Sequence, residues 1–463
     1  MSSVPTRKTQ TDTLLQSRRR ATQLARLRGG MIAAANRKGY SNASVSAVIE
    51  EAGVSRPTFY DYFEHREACF VDTVKYVQGE LMNVASTALD EAPGEMALEA
   101  AVTAIVAFAT ERPADARFLT KEALAGGPAA LDARDAGIGE FARTIDKRLS
   151  SAPHGVEIPD VPLAAALGAT YRMLALRLRR GEQSLAGLDE RLCEWLRSYR
   201  TSATKQLWRV VKPLPLPEQS PYLMPPAMRP PTPLGPGRQK LSKHEITENH
   251  RERIMFATAR AVQEDGYNAV TVARIMKLAG LDGRAFYRLF SDKQDAFTAI
   301  HELGFQYLMS GTAGAFFAGD SWPERMWEGL RAATQSIDDT PSFAHLGFVE
   351  AYAVGPVAIQ RVEDSRVAFE IFLQEGYRDP DVLNPPPTRI ALEATVSAIF
   401  EIVYRAARSS STPETASLLG HLLHIALTPF IGPSASNAFL ASKSAVPGGA
   451  PKPRRRAALP RSR

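Results

Sequence analysis

The strongest constraint on the fold of this chain is an internal repeat. When the sequence is shifted against itself so that Gly39-Tyr40 meets Gly266-Tyr267, Phe59-Tyr60 meets Phe286-Tyr287. The alignment continues to Phe70 and Phe297 and needs no gap over about 32 residues. A match of this length indicates internal duplication, so we expect two units with the same local structure.

A proline-rich stretch lies between the two copies. Residues 212–237 read "KPLPLPEQSPYLMPPAMRPPTPLGPG". Proline lacks a backbone donor and fixes φ, so this stretch cannot form a helix or a central strand. We predict an extended, semi-stiff linker over residues 212–239.

The two bodies on either side of the linker have helical patterns. Apolar residues recur at spacings of three and four in residues 163–178 and again in "TRIALEATVSAIFEIVYRAA", residues 388–407. Alternating strand patterns are scarce, so the predicted fold class is all-α. The predicted domains are a basic disordered arm (1–17), a first three-helix head (18–72), a first helical domain (73–211), the linker, a second head (240–299), a second helical domain (300–435) and a basic disordered tail (436–463).

Composition narrows the class of protein. The 463 residues include only two cysteines, Cys69 and Cys193, so no disulfide framework is expected and a reducing cytoplasm is the predicted location. Runs of about 18 apolar residues are absent from the sequence, and the first residues lack the apolar core of a secretory signal. We therefore expect no membrane span.

Positive charge is concentrated at the two ends. Residues 1–30 contain seven Arg or Lys against Asp12, and residues 441–463 contain seven without an acid. Because the formal net charge is only +6, the body between them is acidic. This distribution is typical of arms that reach toward a polyanion, although solvated tails would give the same pattern.

The first copy of the repeat predicts two short helices joined by a glycine turn. Ser44 is a good N-cap, and the apolar residues that follow it recur at helical spacing up to Ala52. Gly53 then ends the helix, and Ser55 caps the next one, in which Pro57 occupies the first turn. That second helix should bury Phe59 and Phe63. The second copy repeats the pattern with these residues: Thr271, Gly280, Asp282, Phe286 and Phe290. Two such helices packed on a preceding helix describe a helix-turn-helix.

The segments "SVSAVIEEAGVSRPTFYDYFEHREACF" and "TVARIMKLAGLDGRAFYRLFSDKQDAF" resemble the DNA-binding domain of tetracycline-repressor-like (TetR/AcrR) transcription regulators. The resemblance covers about 50 residues in each copy. It implies that the following residues lie at DNA-contacting positions: Arg56, Pro57, Thr58 and Tyr60 in copy one, and Gly283, Arg284, Ala285 and Tyr287 in copy two. Arg66 and Lys293 begin the next helix and are predicted to contact the DNA backbone. The caps Ser44, Ser55 and Thr271 complete the predicted DNA-binding set.

The resemblance also implies a small-molecule effector of unknown identity and a pair of closing helices that form dimers. With two copies in one chain, we expect the closing helices (about 162–202 and 388–430) to pack as a four-helix bundle and form an intramolecular pseudo-dimer. A further homodimer is an alternative. Pocket residues should come from 95–180 and 322–405; the stretch "FAHLGFVEAYAVGPVAIQR" suits a hydrophobic ligand, although ordinary core packing explains it as well and is preferred.

The predicted function is a transcription regulator, most simply a repressor, that binds double-stranded DNA and is not an enzyme. The alternative is a helical interaction or ligand-sensing module whose heads have lost DNA binding. No cofactor is predicted. His421 and His424 are three residues apart, but their apolar neighbours favour packing over a metal site, and both cysteines read as core.

Overall fold

The computed structural model describes residues 7–179, 185–202, 207–209, 228–235, 241–409 and 415–444. The first half begins with a head of three helices and continues into a helical body. Its helices are α1 (Arg7–Lys38), α2 (Val45–Ala52), α3 (Arg56–Tyr60), α4 (Arg66–Glu91), α5 (Ala97–Glu111), α6 (Pro113–Thr120), α7 (Pro128–Leu149), α8 (Leu163–Arg179) and α9 (Leu188–Arg197). A two-residue antiparallel pair, β1 (Ile158–Pro159) with β2 (Arg200–Thr201), joins the loop before α8 to the end of α9.

The second half repeats the head and has a similar helical body. Its helices are α10 (Lys243–Asp265), α11 (Val272–Ala279), α12 (Gly283–Leu289), α13 (Lys293–Phe316), α14 (Trp322–Asp339), α15 (Pro341–His345), α16 (Ala351–Val354), α17 (Pro356–Gln374), α18 (Arg389–Ser409) and α19 (Leu419–Ser442). A π-helical turn, Leu346–Glu350, lies between α15 and α16. The helix α19 is broken at Gly432, where φ is 79°. The all-α prediction is confirmed.

The two halves pack on each other through their closing helices. The helix α8 lies along α18, and α9 and α19 also pack against α18. Small residues allow α8 and α18 to approach closely: Ala165, Ala166, Gly168, Ala394 and Ala398 are all buried. One continuous hydrophobic cluster extends from Leu27 in the first head to Ile425 in α19, so the halves share a core.

A buried ionic network crosses this contact. The carboxylate of Glu401 on α18 is fully buried and accepts hydrogen bonds from Arg134 (3.2 and 3.3 Å) and Arg172 (3.2 Å), which belong to the first half. Nearby, Trp195 donates to Thr395 Oγ1 at 3.0 Å, and Tyr199 donates to the carbonyl of Ile425 at 2.9 Å. Because buried polar groups must be paired, these bonds fix how the halves are aligned.

Two predicted boundaries are wrong in the described residues. The arm predicted as disordered is helical from Arg7 onward, because α1 extends toward the N-terminus once its packed part is formed and adding residues costs little. The tail predicted from residue 436 begins later, because α19 continues to Ser442 with Leu440 fully buried and Lys443 paired with Glu324. Most of the predicted linker lies outside the described residues. Its part 228–235 has no regular secondary structure, and Thr232 accepts a hydrogen bond from Asn249 on α10.

Candidate DNA-binding interface

The first head builds its helix-turn-helix from α2 and α3. The side chain of Ser44 caps α2 by accepting from the Ala47 amide, and Ser55 caps α3 by accepting from the Thr58 amide. Gly53 joins them with φ 59° and ψ 44°, the left-handed conformation that only glycine adopts at little cost. The helix α3 has only five residues, so Phe63 lies beyond its end.

The second head has the same construction. Thr271 caps α11 by accepting from the Arg274 amide, and Asp282 caps α12 by accepting from the Arg284 amide at 2.8 Å. Gly280 occupies the turn with φ 62° and ψ 38°. The capping roles predicted from the sequence are therefore observed in both copies.

The repeated aromatic residues anchor the reading helices. Phe59 and Phe286 are fully buried, and Phe63 and Phe290 are 7% and 3% exposed. The ring centroids of Phe59 and Phe63 are 5.8 Å apart, and those of Phe286 and Phe290 are also 5.8 Å apart. Since each ring packs beneath α3 or α12, the opposite face of that helix is left to solvent.

The outward faces carry most of the predicted contact residues. In the first head Arg56 and Pro57 are exposed, Thr58 is half-buried, and Tyr60 is 49% exposed. In the second head Gly283, Arg284 and Tyr287 are exposed, with Tyr287 at 67%. Ala285 is only 4% exposed, so its side chain does not face outward with them: it packs into the head beside Phe286.

Arg66 and Lys293 also differ from their predicted role. The Arg66 guanidinium donates to the carbonyls of Tyr40, Ser41 and Ala43, and Lys293 Nζ donates to those of Tyr267 (2.9 Å) and Val270 (3.0 Å). Arg66 Cζ also lies 4.5 Å from the ring centroid of Tyr40, and Lys293 Nζ lies 4.5 Å from that of Tyr267. Burial lowers the pKa of Lys293. These side chains brace the loop before the helix-turn-helix rather than facing outward.

Two further arginines, Arg26 and Arg253, have a role that was not predicted from the sequence. Arg26 donates to the carbonyls of Ala52 (2.9 Å) and Gly53 (2.6 Å), and Arg253 donates to Ala279 (2.5 Å) and Gly280 (3.3 Å). Both arginines satisfy the carbonyls at the C-terminus of the helix before the turn. Arg26 and Arg253 are in register with the repeat, and this agreement is the signal that could have identified them.

Each head is fixed to its body by a buried glutamate. Glu122, 2% exposed, accepts from the Tyr40 amide at 2.9 Å, and Glu350, 6% exposed, accepts from the Tyr267 amide at 2.8 Å. The two glutamates are one position out of register with the repeat, so an ungapped comparison misses them. We call this pair of contacts the head latches.

Two adjacent cavities lie in the second body. Each has a free volume of about 60 Å³, and they share Leu308, Ile337, Phe348, Phe369 and Phe400 as lining residues. None of the lining residues is charged at neutral pH. The lining hydroxyls of Thr312, Ser336 and Ser365 all donate to carbonyls of their own helices. His301 also lines the first cavity, and burial lowers its pKa to about 4, so its imidazole is neutral.

The cavities coincide only in part with the predicted pocket region. Phe343 and Phe348, from the stretch singled out in the sequence, line them. The lining residues from α13 lie before the predicted range 322–405. The prediction missed them because nothing in the helical pattern of α13 distinguishes a cavity wall from core.

The histidines set aside in the sequence have packing partners. His424 is fully buried; its Nε2 lies 2.6 Å from the Asp160 carbonyl and its Nδ1 lies 3.2 Å from Thr428 Oγ1. Trp208 stacks on the His424 ring with centroids 5.3 Å apart, and it makes an edge contact with the ring of His421. Burial lowers the pKa of His424 to about 4. Cys69 and Cys193 are buried free thiols.

The described residues hold neither a metal-binding cluster nor a membrane-spanning helix. They contain no group of three or more His, Cys, Asp or Glu placed to hold a metal ion. They also contain no helix that combines the length and hydropathy needed to cross a bilayer.

Comparison with known families identifies both heads. The family model of bacterial regulatory proteins of the tetR family matches residues 32–73 and, separately, residues 254–300. These two segments are the ones in which the geometry repeats. A search of curated proteins found no match.

Solved tetR-family structures align with parts of the chain. The fatty acid degradation regulator FadR from Bacillus halodurans is 16% identical, covers 38% of this chain and 97% of its own, and has a TM-score of 0.34. The regulator PfmR from Thermus thermophilus is 18% identical, covers 38% and 95%, and has a TM-score of 0.33. FadR from Bacillus subtilis, solved with stearoyl-CoA, is 13% identical, covers 42% and 97%, and has a TM-score of 0.30. At these scores nothing is carried over from those proteins to this one.

The assignment therefore rests on the two family matches and on the shared construction of the two heads. The match to the tetR family of bacterial regulatory proteins covers the two heads, and the chain contains this matching domain twice.

Proposed function

We propose that this protein is a ligand-responsive repressor that binds an asymmetric operator as an intramolecular pseudo-dimer. The observation that carries the proposal is the presence of two equally built helix-turn-helix heads on bodies that share one core. Helix-turn-helix regulators place two recognition helices about 34–36 Å apart, one turn of DNA. A chain with two heads supplies both halves without a second subunit. Such a regulator would act in the cytoplasm, at the nucleoid.

The operator should have unequal half-sites. Exposed residues at matched positions differ: Arg56 and Pro57 in the first head correspond to Gly283 and Arg284 in the second. Direct readout depends on which side chains reach the base edges, so the two heads should prefer different bases.

Selection of bound duplexes from a random pool, followed by sequencing, tests this proposal. We expect two different half-sites at a fixed spacing, and recovery of perfect inverted repeats would contradict it. Arg56→Ala and Arg284→Ala variants should each relax selection in one half-site only. If neither variant changes binding, the alternative of an interaction module with inactive heads gains support.

The cavities of the second body support a ligand response. A concave site with a mainly apolar lining is typical of small-molecule sites. Since the lining has no charged group and its serine and threonine hydroxyls donate within the protein, the effector should be an uncharged, mainly apolar molecule. The neutral His301 can supply one polar contact.

A path from the cavities to the second head runs through the π-helical turn. Gly347 and Phe348 line the first cavity, and Glu350, in the same turn, holds the Tyr267 amide. A ligand that displaces this turn would move the head latch and thereby the second head.

Binding of the uncharged fluorescent probe N-phenyl-1-naphthylamine tests the site. We expect a fluorescence increase that saturates at one probe per chain. Ala333→Phe, which fills the second cavity, should abolish it, whereas Ala318→Phe at an exposed position should not. Ile337→Ala, which enlarges both cavities, should retain binding; an unchanged signal in Ala333→Phe would locate the probe elsewhere.

A further inference from the structure

The helix-turn-helix segments of the two heads have the same backbone construction but opposite net charge. The segment 44–65 of the first head has one Arg or Lys against four acids: Arg56, with Glu50, Glu51, Asp61 and Glu64. The matched segment 271–292 of the second head has four against two: Arg274, Lys277, Arg284 and Arg288, with Asp282 and Asp292. The formal charge is therefore −3 in one helix-turn-helix and +2 in the other.

Charges that are already paired within the protein do not weaken this contrast. Arg274 is held by Glu264 and Asp265 on α10, and Glu51 is held by Arg37. Asp282 and Asp292 are N-caps that accept backbone hydrogen bonds.

The remaining charges in the two segments are exposed. Lys277, Arg284 and Arg288 have no acidic partner in the described part of the chain. Glu50, Asp61 and Glu64 are exposed in the same way and have no cationic partner there. The second head therefore presents three unpaired cations where the first presents three unpaired acids and Arg56.

The sign of the charge inverts at two matched positions. Glu50 corresponds to Lys277, and Asp61 corresponds to Arg288, one repeat further along the chain. Arg284 and Arg288 are four residues apart on α12, on the exposed side that also carries Tyr287. DNA affinity depends mainly on neutralising phosphates, so the α12 surface attracts a duplex while the acids beside α3 repel it.

The first head has further exposed cations outside this segment. Arg18, Arg19 and Arg20 are exposed on α1, and the matched residues of α10 are Glu245, Ile246 and Thr247. The helix α10 starts at this point, with Ser242 and Glu245 forming a capping box, whereas α1 continues back to Arg7. The basic surface is thus on the extended first helix in one head and on the reading helix in the other.

We propose that the second head is the electrostatic anchor of the protein on DNA, with Lys277, Arg284 and Arg288 neutralising phosphates when the duplex lacks the operator sequence. The first head contacts the DNA backbone through Arg18, Arg19 and Arg20. The acids around α3 repel DNA, so this head binds only a sequence whose contacts outweigh that repulsion. The inference rests on the proposed function, because it assumes that both heads meet one duplex.

The salt dependence of binding to a fluorescein-labelled random-sequence duplex, followed by anisotropy, tests the proposal. Each phosphate contact contributes about 0.9 to the slope of log affinity against log salt. Relative to about 1 M salt, one contact therefore raises the affinity about eightfold at about 0.1 M salt. Arg284→Ala with Arg288→Ala should lower the slope by about 1.8 and the affinity about 60-fold. Arg56→Ala should cost no more than about eightfold.

Reciprocal charge changes sharpen the test. Arg288→Asp should weaken binding and Asp61→Arg should strengthen it about eightfold, with a steeper slope. Arg143→Ala with Lys147→Ala removes the same two charges from exposed positions on α7 and should leave the slope unchanged. That end of α7 bonds to Leu89 through Arg148, about 35 Å along α4 from the first head at about 1.5 Å per residue.

The outcomes separate the two proposals. If the wild-type protein binds duplex DNA but Arg56→Ala lowers the slope more than the α12 double variant does, the second head is not the anchor and only this inference fails. The same holds if Asp61→Arg leaves affinity unchanged. If the wild-type protein binds no duplex even at low salt, the proposed function itself fails. Circular dichroism melts of each variant should match the wild type, because every substituted side chain is exposed.

Discussion

Replacing Glu401 by leucine should loosen the contact between the two halves. Glu401 is fully buried on α18, and its carboxylate is shared by Arg134, Arg172 and Arg405. Arg134 is itself only 1% exposed. Burial favours a higher pKa for Glu401, but Arg134 and Arg172 outweigh it, and the pKa lies below its ordinary value. The carboxylate is therefore ionised at neutral pH.

The size of the effect follows from what the substitution leaves behind. Removing one partner of a buried ion pair costs about 3–5 kcal/mol, because the opposite charge stays buried without compensation. Arg134 keeps Asp135 at 2.8 Å, so we expect the lower end of this range, about 3 kcal/mol. Because the pKa of Glu401 is depressed, its contribution is complete above the ordinary glutamate pKa and is lost only as the pH falls through the folded-state value. The cost of the substitution should thus be constant from about pH 6 to pH 8.

Urea unfolding, followed by tryptophan emission and by circular dichroism, measures this loss. Trp195 is a suitable reporter because its indole donates to Thr395 across the same contact. Glu302→Leu is the matched control: Glu302 pairs with Arg361 at 3.3 Å, but the side chains are 52% and 40% exposed, so its loss should cost less than about 1 kcal/mol.

A double variant separates uncompensated charge from lost packing. Glu401→Leu combined with Arg134→Met should recover much of the stability, since an apolar replacement of a buried pair is often neutral. If Glu401→Leu is no more destabilising than Glu302→Leu, the network does not hold the halves together and the reasoning is refuted.

Three further changes test other parts of the structure. Glu350→Ala removes the carboxylate that accepts from the Tyr267 amide. This amide should then exchange hydrogen faster, and stability should fall by about 1–3 kcal/mol. Unchanged exchange would mean that Glu350 does not act as the head latch. Gly280→Ala places a Cβ at φ 62° and 3.1 Å from Arg253, and should cost about 1 kcal/mol in thermal unfolding, whereas a neutral result would mean that the turn relaxes. Burial lowers the pKa values of His301 and His424 to about 4, so both side chains stay neutral in the folded protein, and stability should decline as the pH falls from about 6.5 toward 4. The variant His301→Leu should flatten this decline when stability is measured by urea titration. An unchanged decline would mean that other groups cause it.

Much of each head could be predicted because its determinants are local. Ser44 and Thr271 act as caps through amides three residues away, and Gly53 and Gly280 act through their own φ. Such features depend on sequence spacing alone, so they could be recognised twice along the chain. The burial of Phe59 and Phe286 followed from the same periodicity.

The roles of individual polar side chains could not be predicted in the same way. Arg66 and Lys293 were expected at the DNA and instead bind carbonyls of a loop that precedes the whole helix-turn-helix. Ala285 was expected at the surface and is buried. Which way a side chain points depends on the neighbours that tertiary packing brings to it, and those neighbours are not encoded at any fixed spacing.

The sequence by itself determined the duplication, the all-helical class and the two helix-turn-helix heads, since caps, glycine turns and apolar periodicity act within one or two turns of chain. Only the tertiary structure decided which residues hold the halves together, where a cavity opens and which acid holds each head. Arg134 and Glu401 are 267 residues apart, and the cavities lie between several helices of the second body. Such contacts form only when distant segments pack, because burial and desolvation depend on everything that surrounds a group.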